Sequence, residues 1–233
     1  MDTMWINHTG VIRTYLDSPA ATSAPFQPFT DQRSGRLQIR PRSLVCSSLG
    51  LLERLTRDAG ATWTEITPPG MPQYGTVDEI GLSVHAPGRA YVAVQRYRLD
   101  DFAPYIFRTD DYGSSWALAT DGIPGDFPVR TVREDAEQEG LLFAGTEYGL
   151  FVSFNGGRAW QSFQQNLPIT PVSGMRVAHN DLIISTQGRS FWILDDISPL
   201  RELTAAVGAG AHLFKPRDEY RLTNVGPTFL AGV

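Results

Sequence analysis

One short pattern occurs three times in the sequence and limits the folds that the chain can adopt. The pattern is Ser or Thr, any residue, Asp or Asn, any residue, Gly, two residues and Trp. Its copies are Thr56, Asp58, Gly60 and Trp63; Thr109, Asp111, Gly113 and Trp116; and Ser153, Asn155, Gly157 and Trp160. They recur at intervals of about 45–55 residues, a period typical of repeats that each form one supersecondary unit.

The residue types of this pattern suit a tight turn between two strands. An Asp or Asn side chain accepts hydrogen bonds from nearby backbone amides, and Gly adopts the positive φ that such turns often need. The Ser or Thr hydroxyl adds a local bond, and Trp covers the turn with a large apolar surface. We therefore interpret the residues of all three copies as structural and expect no ligand contact from them.

Strand-like runs lie between the turns. They are rich in Val, Ile, Phe, Tyr and Thr and are bounded by Gly, Pro and Asp, as short strands are. The paired runs are 90–94 with 105–108, 141–144 with 149–152, and 181–185 with 190–194; the runs upstream of them are 77–84, 129–134 and 172–177. A short fourth run follows each Trp. Four short antiparallel strands per repeat are typical of a propeller blade, so the sequence predicts an all-β fold, a partial β-propeller of about three to four such blades.

The three motifs resemble Asp-boxes, also called BNR repeats, of sialidase-like, xyloglucanase-like and sortilin-like propellers. The stretch from about Thr56 to Arg221 is similar to the last blades of bacterial exported proteins described as glycosyl hydrolase BNR repeat or sortilin N-terminal domain proteins. The segments that carry this resemblance are YVAV at 91–94, RYRLDD at 96–101, PYIF at 104–107, AGTEYG at 144–149 and QGRSFWILDD at 187–196. The resemblance implies a periplasmic or extracellular parent protein. It leaves activity open, because Asp-boxes occur in enzymes and in propellers that only bind.

The chain divides into three regions by composition. Residues 1–42 form an irregular segment with a possible partial blade, residues 43–200 the Asp-box blades, and residues 201–233 an extended tail or linker. Within the first region, residues 15–42 are rich in Pro, Ser, Thr and Arg without periodicity, which favours a disordered loop over an anion-binding or partner-binding insertion. Three blades leave sheet edges open. We therefore expect a fragment whose partner is the rest of a larger propeller, or a chain that associates with itself.

Charge and cysteine content exclude several classes of protein. The net charge of −5 disfavours nonspecific binding of nucleic acid. No apolar run approaches the roughly 20 residues that span a bilayer, and no basic segment before an apolar run predicts a signal peptide. The single Cys46 excludes an intrachain disulfide. We expect no metal ion and no cofactor, because the four His residues are far apart and no phosphate-binding glycine motif is present.

The loops that join the second and third strands of each blade are the predicted functional face. They lie opposite the turn motifs, beside the central channel of a propeller. The candidate catalytic residues there are Asp100, Asp101 and Glu147, and the candidate ligand-binding residues of the rim are Arg96, Arg98, Tyr148 and Arg189. A glycosidase needs two carboxyl groups about 5–9.5 Å apart, and Asp100 or Asp101 with Glu147 is the one pair we nominate.

Two functions are compatible with this rim. The leading prediction is a noncatalytic binding or scaffold module for protein or glycan, with contact residues Tyr97, Tyr148, Phe102 and Arg98. The alternative is a glycoside hydrolase of sialidase or xyloglucanase type. A sialidase would need an arginine cluster for the substrate carboxylate and a Tyr nucleophile. Arg96, Arg98, Arg189 and Tyr148 are the residues that would have to supply these groups.

Overall fold

The computed structural model describes residues 4–6, 12–14, 43–47, 52–56, 64–206 and 212–215. The strands of these residues form four sheets, called sheets 1 to 4 in chain order. Neighbouring strands are antiparallel, apart from the parallel pair β2 and β3 in sheet 1. The predicted all-β fold class is therefore confirmed.

The bounds of the strands follow the repeat. Sheet 1 contains β1 (Met4–Ile6), β2 (Ile12–Thr14), β3 (Ser43–Ser47), β4 (Leu52–Thr56) and β5 (Thr64–Glu65). Sheet 2 contains β6 (Thr76–Leu82), β7 (Ala90–Arg96), β8 (Asp101–Thr109) and β9 (Ala117–Leu118). Sheet 3 contains β10 (Val129–Glu134), β11 (Leu142–Thr146), β12 (Leu150–Ser153) and β13 (Gln161–Ser162). Sheet 4 contains β14 (Val172–Ala178), β15 (Asp181–Thr186) and β16 (Phe191–Leu194).

The structure differs from the sequence prediction after β16. A helix, α1 (Ser198–Ala206), follows where the other repeats place a turn and a fourth strand, and it includes the first residues of the predicted extended tail. The Asp196 carboxylate accepts a hydrogen bond from the Ser198 amide at 3.1 Å, which satisfies one of the amides left open at the start of a helix. Pro199 lies in the first turn, where a missing amide hydrogen costs little.

Sheets 2, 3 and 4 pack face to face in chain order. Side chains alternate between the two faces of a strand, so each sheet contributes apolar residues to the core on either side of it. The core between sheets 2 and 3 includes Tyr91, Ala93, Ile106, Val132, Ala144 and Phe151. The core between sheets 3 and 4 includes Phe143, Leu150, Val152, Met175, Leu182 and Ile184.

The first strand of each of these sheets is irregular at one equivalent position. The regular pairing with the second strand is interrupted between Val77 and Glu79 in β6 and between Val129 and Thr131 in β10. In β14 the interruption lies between Val172 and Gly174. The residues at the interruptions are Asp78, Arg130 and Ser173. Such bulges redirect a side chain locally, and β10 contacts both β6 and β14, so these positions lie where the sheets meet.

Candidate functional site

The turn motifs in sheets 2 and 3 have the same hydrogen-bond geometry. The Thr109 hydroxyl donates to Asp111 Oδ1 at 2.8 Å and accepts from the Gly113 amide at 2.9 Å. The same Asp111 oxygen accepts from the Ser115 amide at 2.8 Å. Hydrogen bonds from the Ser115 hydroxyl and amide and from Thr109 lower the pKa of Asp111 below its ordinary value.

The Ser153 copy repeats these contacts with an amide in place of the carboxylate. The Ser153 hydroxyl donates to Asn155 Oδ1 at 2.9 Å and accepts from the Gly157 amide at 3.0 Å. Asn155 Oδ1 also accepts from the Ala159 amide at 2.9 Å. The buried Trp160 donates its indole hydrogen to the Ala119 carbonyl at 2.9 Å. The hydroxyl and the Asp or Asn side chain of each motif are thus used within its own turn, whereas the Trp160 indole bonds outside it.

The other residues of the three copies are placed as follows. Gly113 and Gly157 both have a φ of +83°, the left-handed region expected of them, and Trp116 packs on the apolar cluster of sheet 2. Thr56 ends β4. Asp58, Gly60 and Trp63 lie outside the described residues, as do the four arginines of residues 33–42.

The candidate rim lies at the opposite ends of the hairpins. Antiparallel strands place the connection between strands two and three at the end of the sheet away from the connection between strands three and four. The rim connections are 97–100 in sheet 2, 147–149 in sheet 3 and 187–190 in sheet 4. They contain or adjoin all seven candidate catalytic and ligand-binding residues.

Asp101 is fixed as a carboxylate within its own hairpin. It accepts hydrogen bonds from Arg96 Nη1 at 3.2 Å, from the Tyr105 hydroxyl at 3.0 Å and from the Ala103 amide at 3.2 Å. Burial alone would raise the pKa of Asp101, but the bonds from Ala103, Tyr105 and Arg96 outweigh it and lower the pKa. Arg96 is held further by the Gln73 carbonyl, which accepts from its Nε at 2.7 Å.

Asp100 and Arg98 lie on an exposed turn. Tyr97–Leu99 forms one turn of 3-10 helix, and Asp100 ends it in the left-handed conformation with a φ of 61°. Both side chains are exposed. The Arg98 guanidinium lies 5.9 Å from the centre of the adjacent Tyr97 ring, and within the described part of the chain it makes no ion pair.

Glu147 is held by an arginine that contacts three sheets. Arg130 Nη1, at the irregular position of β10, donates to Glu147 Oε1 at 2.8 Å and to Gln187 Oε1 of sheet 4 at 3.3 Å. Arg130 Nε lies 3.5 Å from Asp78 Oδ2 of sheet 2. The side chains of Asp78 and Glu147 are each 19% exposed, and the side chain of Arg130 is 18% exposed. We call this group of Asp78, Arg130, Glu147 and Gln187 the rim cluster.

Sequence reasoning missed three members of the rim cluster. The strand-like runs 77–84 and 129–134 contain Asp78 and Arg130 without distinguishing them, and Gln187 is not among the candidate rim residues. The signal that reveals them is the repeat itself. Val94, Thr146 and Thr186 pair with the residues before the three irregular positions, so the residues that follow them, Gln95, Glu147 and Gln187, are equivalent. At two of these positions, Glu147 and Gln187, the side chain accepts a hydrogen bond from Arg130.

The remaining rim residues are exposed and apolar or cationic. The ring of Tyr148 is 4.7 Å from that of Phe127 and tilted by 52°, and 40% of the residue is exposed. Phe102 is 42% exposed. Arg189 is exposed, and its carbonyl accepts from the Trp192 indole at 2.9 Å. In the described ranges, no hydrogen bond or ion pair joins Asp100 or Asp101 to Glu147.

The described residues provide neither a metal-binding cluster nor a membrane-spanning helix. Across residues 64–206 and the shorter described segments, no group of three or more His, Cys, Asp or Glu side chains is arranged to hold a metal ion. The described helix, α1, is too short and too polar to cross a membrane.

Comparisons with known proteins identify the architecture and not a family. No family model and no curated protein matches the chain. The GH74 xyloglucanase from Xanthomonas campestris is similar in structure, with a TM-score of 0.52 and 17% identity over 85% of this chain and 31% of that chain. The GH74 enzyme of Niastella koreensis has a TM-score of 0.48 and 18% identity over 63% and 20% of the two chains. YCF48 bound to D1 peptide has a TM-score of 0.46 and 17% identity over 62% and 45%. The chain is thus a partial β-propeller that spans less than half the length of each of these structures.

Proposed function

We propose that the chain forms blades of an Asp-box β-propeller and acts as a noncatalytic binding or scaffold module for a protein or glycan. We assign the blades to residues 43–200, the irregular segment to 1–42 and a connecting tail to 201–233. The matching hydrogen bonds of the Thr109 and Ser153 turns support the Asp-box assignment. They also support the resemblance to the last blades of exported BNR-repeat and sortilin-like proteins.

The pairing of the rim carboxylates with arginine is the observation that favours binding over hydrolysis. A glycosidase needs one carboxylic acid whose pKa is raised, so that it can protonate the leaving oxygen. Arg96, Tyr105 and the Ala103 amide lower the pKa of Asp101 instead. Glu147 accepts a hydrogen bond from Arg130 Nη1 at 2.8 Å, so its carboxylate is already engaged within the protein.

The exposed residues of the rim suit contact with a ligand. Tyr148 and Phe102 offer aromatic surface at 40% and 42% exposure, and Arg98 offers an exposed guanidinium that forms no ion pair with any described residue. Aromatic and arginine side chains contribute most of the energy at protein interfaces, and aromatic rings also stack on planar or sugar groups. The ion-paired rim cluster beneath them holds the connections of sheets 3 and 4 in place.

The alternative remains a glycoside hydrolase that uses Asp100 or Asp101 with Glu147. The similarity to the xyloglucanase concerns the fold alone at 17% identity. A sialidase-type site is less favoured, because Arg96 is engaged by Asp101 and by the Gln73 carbonyl.

An assay with xyloglucan separates the two functions. The purified chain is incubated with xyloglucan and new reducing ends are measured for the wild type, Glu147→Gln and Asp101→Asn. We expect no release above the buffer blank in any of them. Release that Glu147→Gln abolishes would favour the hydrolase instead.

Binding is tested with peptides selected on the immobilised chain from a random phage library and with xyloglucan in affinity gels. For a ligand found in either way, we expect Tyr148→Ala and Arg98→Ala to weaken binding at least about tenfold. Leu118→Ala, an exposed apolar position on β9, serves as the matched control and should leave binding unchanged. Equal binding by all three variants contradicts the assignment of the rim.

A further inference from the structure

The outward face of sheet 4 exposes apolar residues at positions that are buried in sheet 3. Phe191 pairs with Ser185 in sheet 4 as Leu150 pairs with Gly145 in sheet 3. Leu150 is 3% exposed because sheet 4 covers it, whereas Phe191 is 75% exposed. This position is therefore apolar in both sheets and covered in one.

The next outward position repeats the comparison. Ile193 pairs with Ile183 as Val152 pairs with Phe143. Val152 is 1% exposed and Ile193 is 60% exposed. Sheet 4 also has three strands where sheets 2 and 3 have four, so within the described part of the chain β16 is an edge strand. Exposed apolar edge strands promote pairing with other sheets.

The charges that flank these residues are of opposite sign. Arg189 lies just before β16 and Asp195 just after it, and both are exposed. Neither side chain makes a hydrogen bond or ion pair with any other described residue. In chain order the exposed residues are therefore Arg189 in the turn before β16, Phe191 and Ile193 on β16, and Asp195 just after it. A cation stands at one end, an anion at the other, and two apolar residues between them.

When two copies of this series lie side by side in opposite directions, each charged residue faces one of opposite sign and each apolar residue faces an apolar one. A two-fold axis at Trp192 places Arg189 opposite Asp195 of a second copy and Phe191 opposite Ile193 of that copy. A two-fold dimer uses the same patch on both subunits, and such a patch must match itself in this way. Sheets that pack face to face bury their apolar positions against each other.

We propose that the outward face of sheet 4 is a homodimer interface, in which the β16 strands of two copies lie antiparallel across a two-fold axis. The buried contacts are Phe191 with Ile193 of the second copy, and the ion pairs at the ends are Arg189 with Asp195. This interface shares Arg189 with the rim, but its apolar contacts, Phe191 and Ile193, lie on β16. The residues that test ligand binding, Tyr148 and Arg98, are not part of it, so the two proposals are tested separately.

The oligomeric state of the full chain tests this interface. Mass is measured by light scattering during size exclusion, at protein concentrations up to about 0.1 mM, where weak homodimers associate. We expect a concentration-dependent dimer for the wild type and a monomer for Ile193→Lys. Ile169→Lys, which changes an apolar residue that is 77% exposed in the loop before β14, should remain dimeric.

A charge exchange tests the two-fold arrangement. Arg189→Asp and Asp195→Arg should each weaken the dimer at least about tenfold, because each places like charges opposite one another. The double variant restores both ion pairs and should dimerise like the wild type. Circular dichroism and Trp fluorescence check that each variant is folded. A wild type that stays monomeric, assembles into larger species, or dimerises without rescue by the double variant overturns the proposal.

Discussion

A buried ion pair between Arg201 and Asp135 joins helix α1 to the end of β10. Removing one partner should lower the free energy of unfolding substantially. Arg201 Nε and Nη2 donate to the two carboxylate oxygens of Asp135 at 2.8 and 3.0 Å. The Asp135 side chain is 0% exposed and that of Arg201 is 12% exposed. Removing one partner of a buried pair costs about 3–5 kcal/mol, because the other charge is left without a counterion. Asp135 keeps a bond from the Gln138 amide at 2.9 Å, so we expect Arg201→Met to cost about 3 kcal/mol.

Urea denaturation followed by circular dichroism measures this loss. The matched control is Glu137→Gln, because Glu137 also accepts from Arg201, at 2.6 Å, through a side chain that is 65% exposed. An exposed pair contributes less than about 1 kcal/mol, so the control should unfold close to the wild-type midpoint.

The double variant Arg201→Met/Asp135→Asn tests whether the stability loss comes from the unpaired charge of Asp135. A neutral Asn leaves no uncompensated anion, so the double variant should regain much of the stability that Arg201→Met loses. Two results would refute the reasoning. One is a loss below about 1 kcal/mol for Arg201→Met; the other is a double variant as unstable as the sum of the two single changes.

Two further predictions concern a close backbone approach and a titrating carboxylate. Gly122 has a φ of +90° and its missing Cβ would meet the Trp160 carbonyl oxygen, so Gly122→Ala should cost at least about 2 kcal/mol in a thermal or urea melt. Gly125→Ala, where nothing lies within 4 Å, should change stability by less than about 1 kcal/mol, and equal losses would contradict the prediction. The lowered pKa of Asp101 contributes stability above roughly pH 4 that is lost as the pH falls through the folded-state pKa. Asp101→Asn should therefore approach the wild type in stability between about pH 6 and pH 3, whereas a constant difference would exclude this linkage.

The sequence predicts best what depends on neighbours along the chain. Residues 90–94 and 105–108 are apolar runs rich in strand-forming residues and bounded by turn residues, and they lie within β7 and β8. The roles of Asp111 and Asn155 in their turns follow from residue type and spacing, because every bond partner lies within four residues. Helix α1 was missed because its attachment is distant in sequence, through Arg201.

The sequence predicts least where sheets meet. The candidate rim residues were chosen for exposure on loops, but Arg96 and Asp101 bond to each other. Glu147 is oriented by Arg130, whose other contacts, Asp78 and Gln187, lie on two different sheets. Such contacts depend on how sheets stack and on the local irregularity of a strand. Neither property has a signature in a single hairpin, although alignment of the repeats indicates which positions to compare.

The interrupted strand pairing that recurs in β6, β10 and β14 affects how the surface where the sheets meet can vary in sequence. Asp78, Arg130 and Ser173 occupy equivalent places in three sheets, yet they are an acid, a base and a hydroxyl. Their side chains lie outside the regular alternation that fills the core, so each can be exchanged without repacking the apolar residues beside it. Arg130 pairs with Asp78 and Glu147, so a library randomised at Ser173 should retain folded members at high frequency, whereas one randomised at Asp78 and Arg130 should retain them only where the charges at the two positions stay complementary.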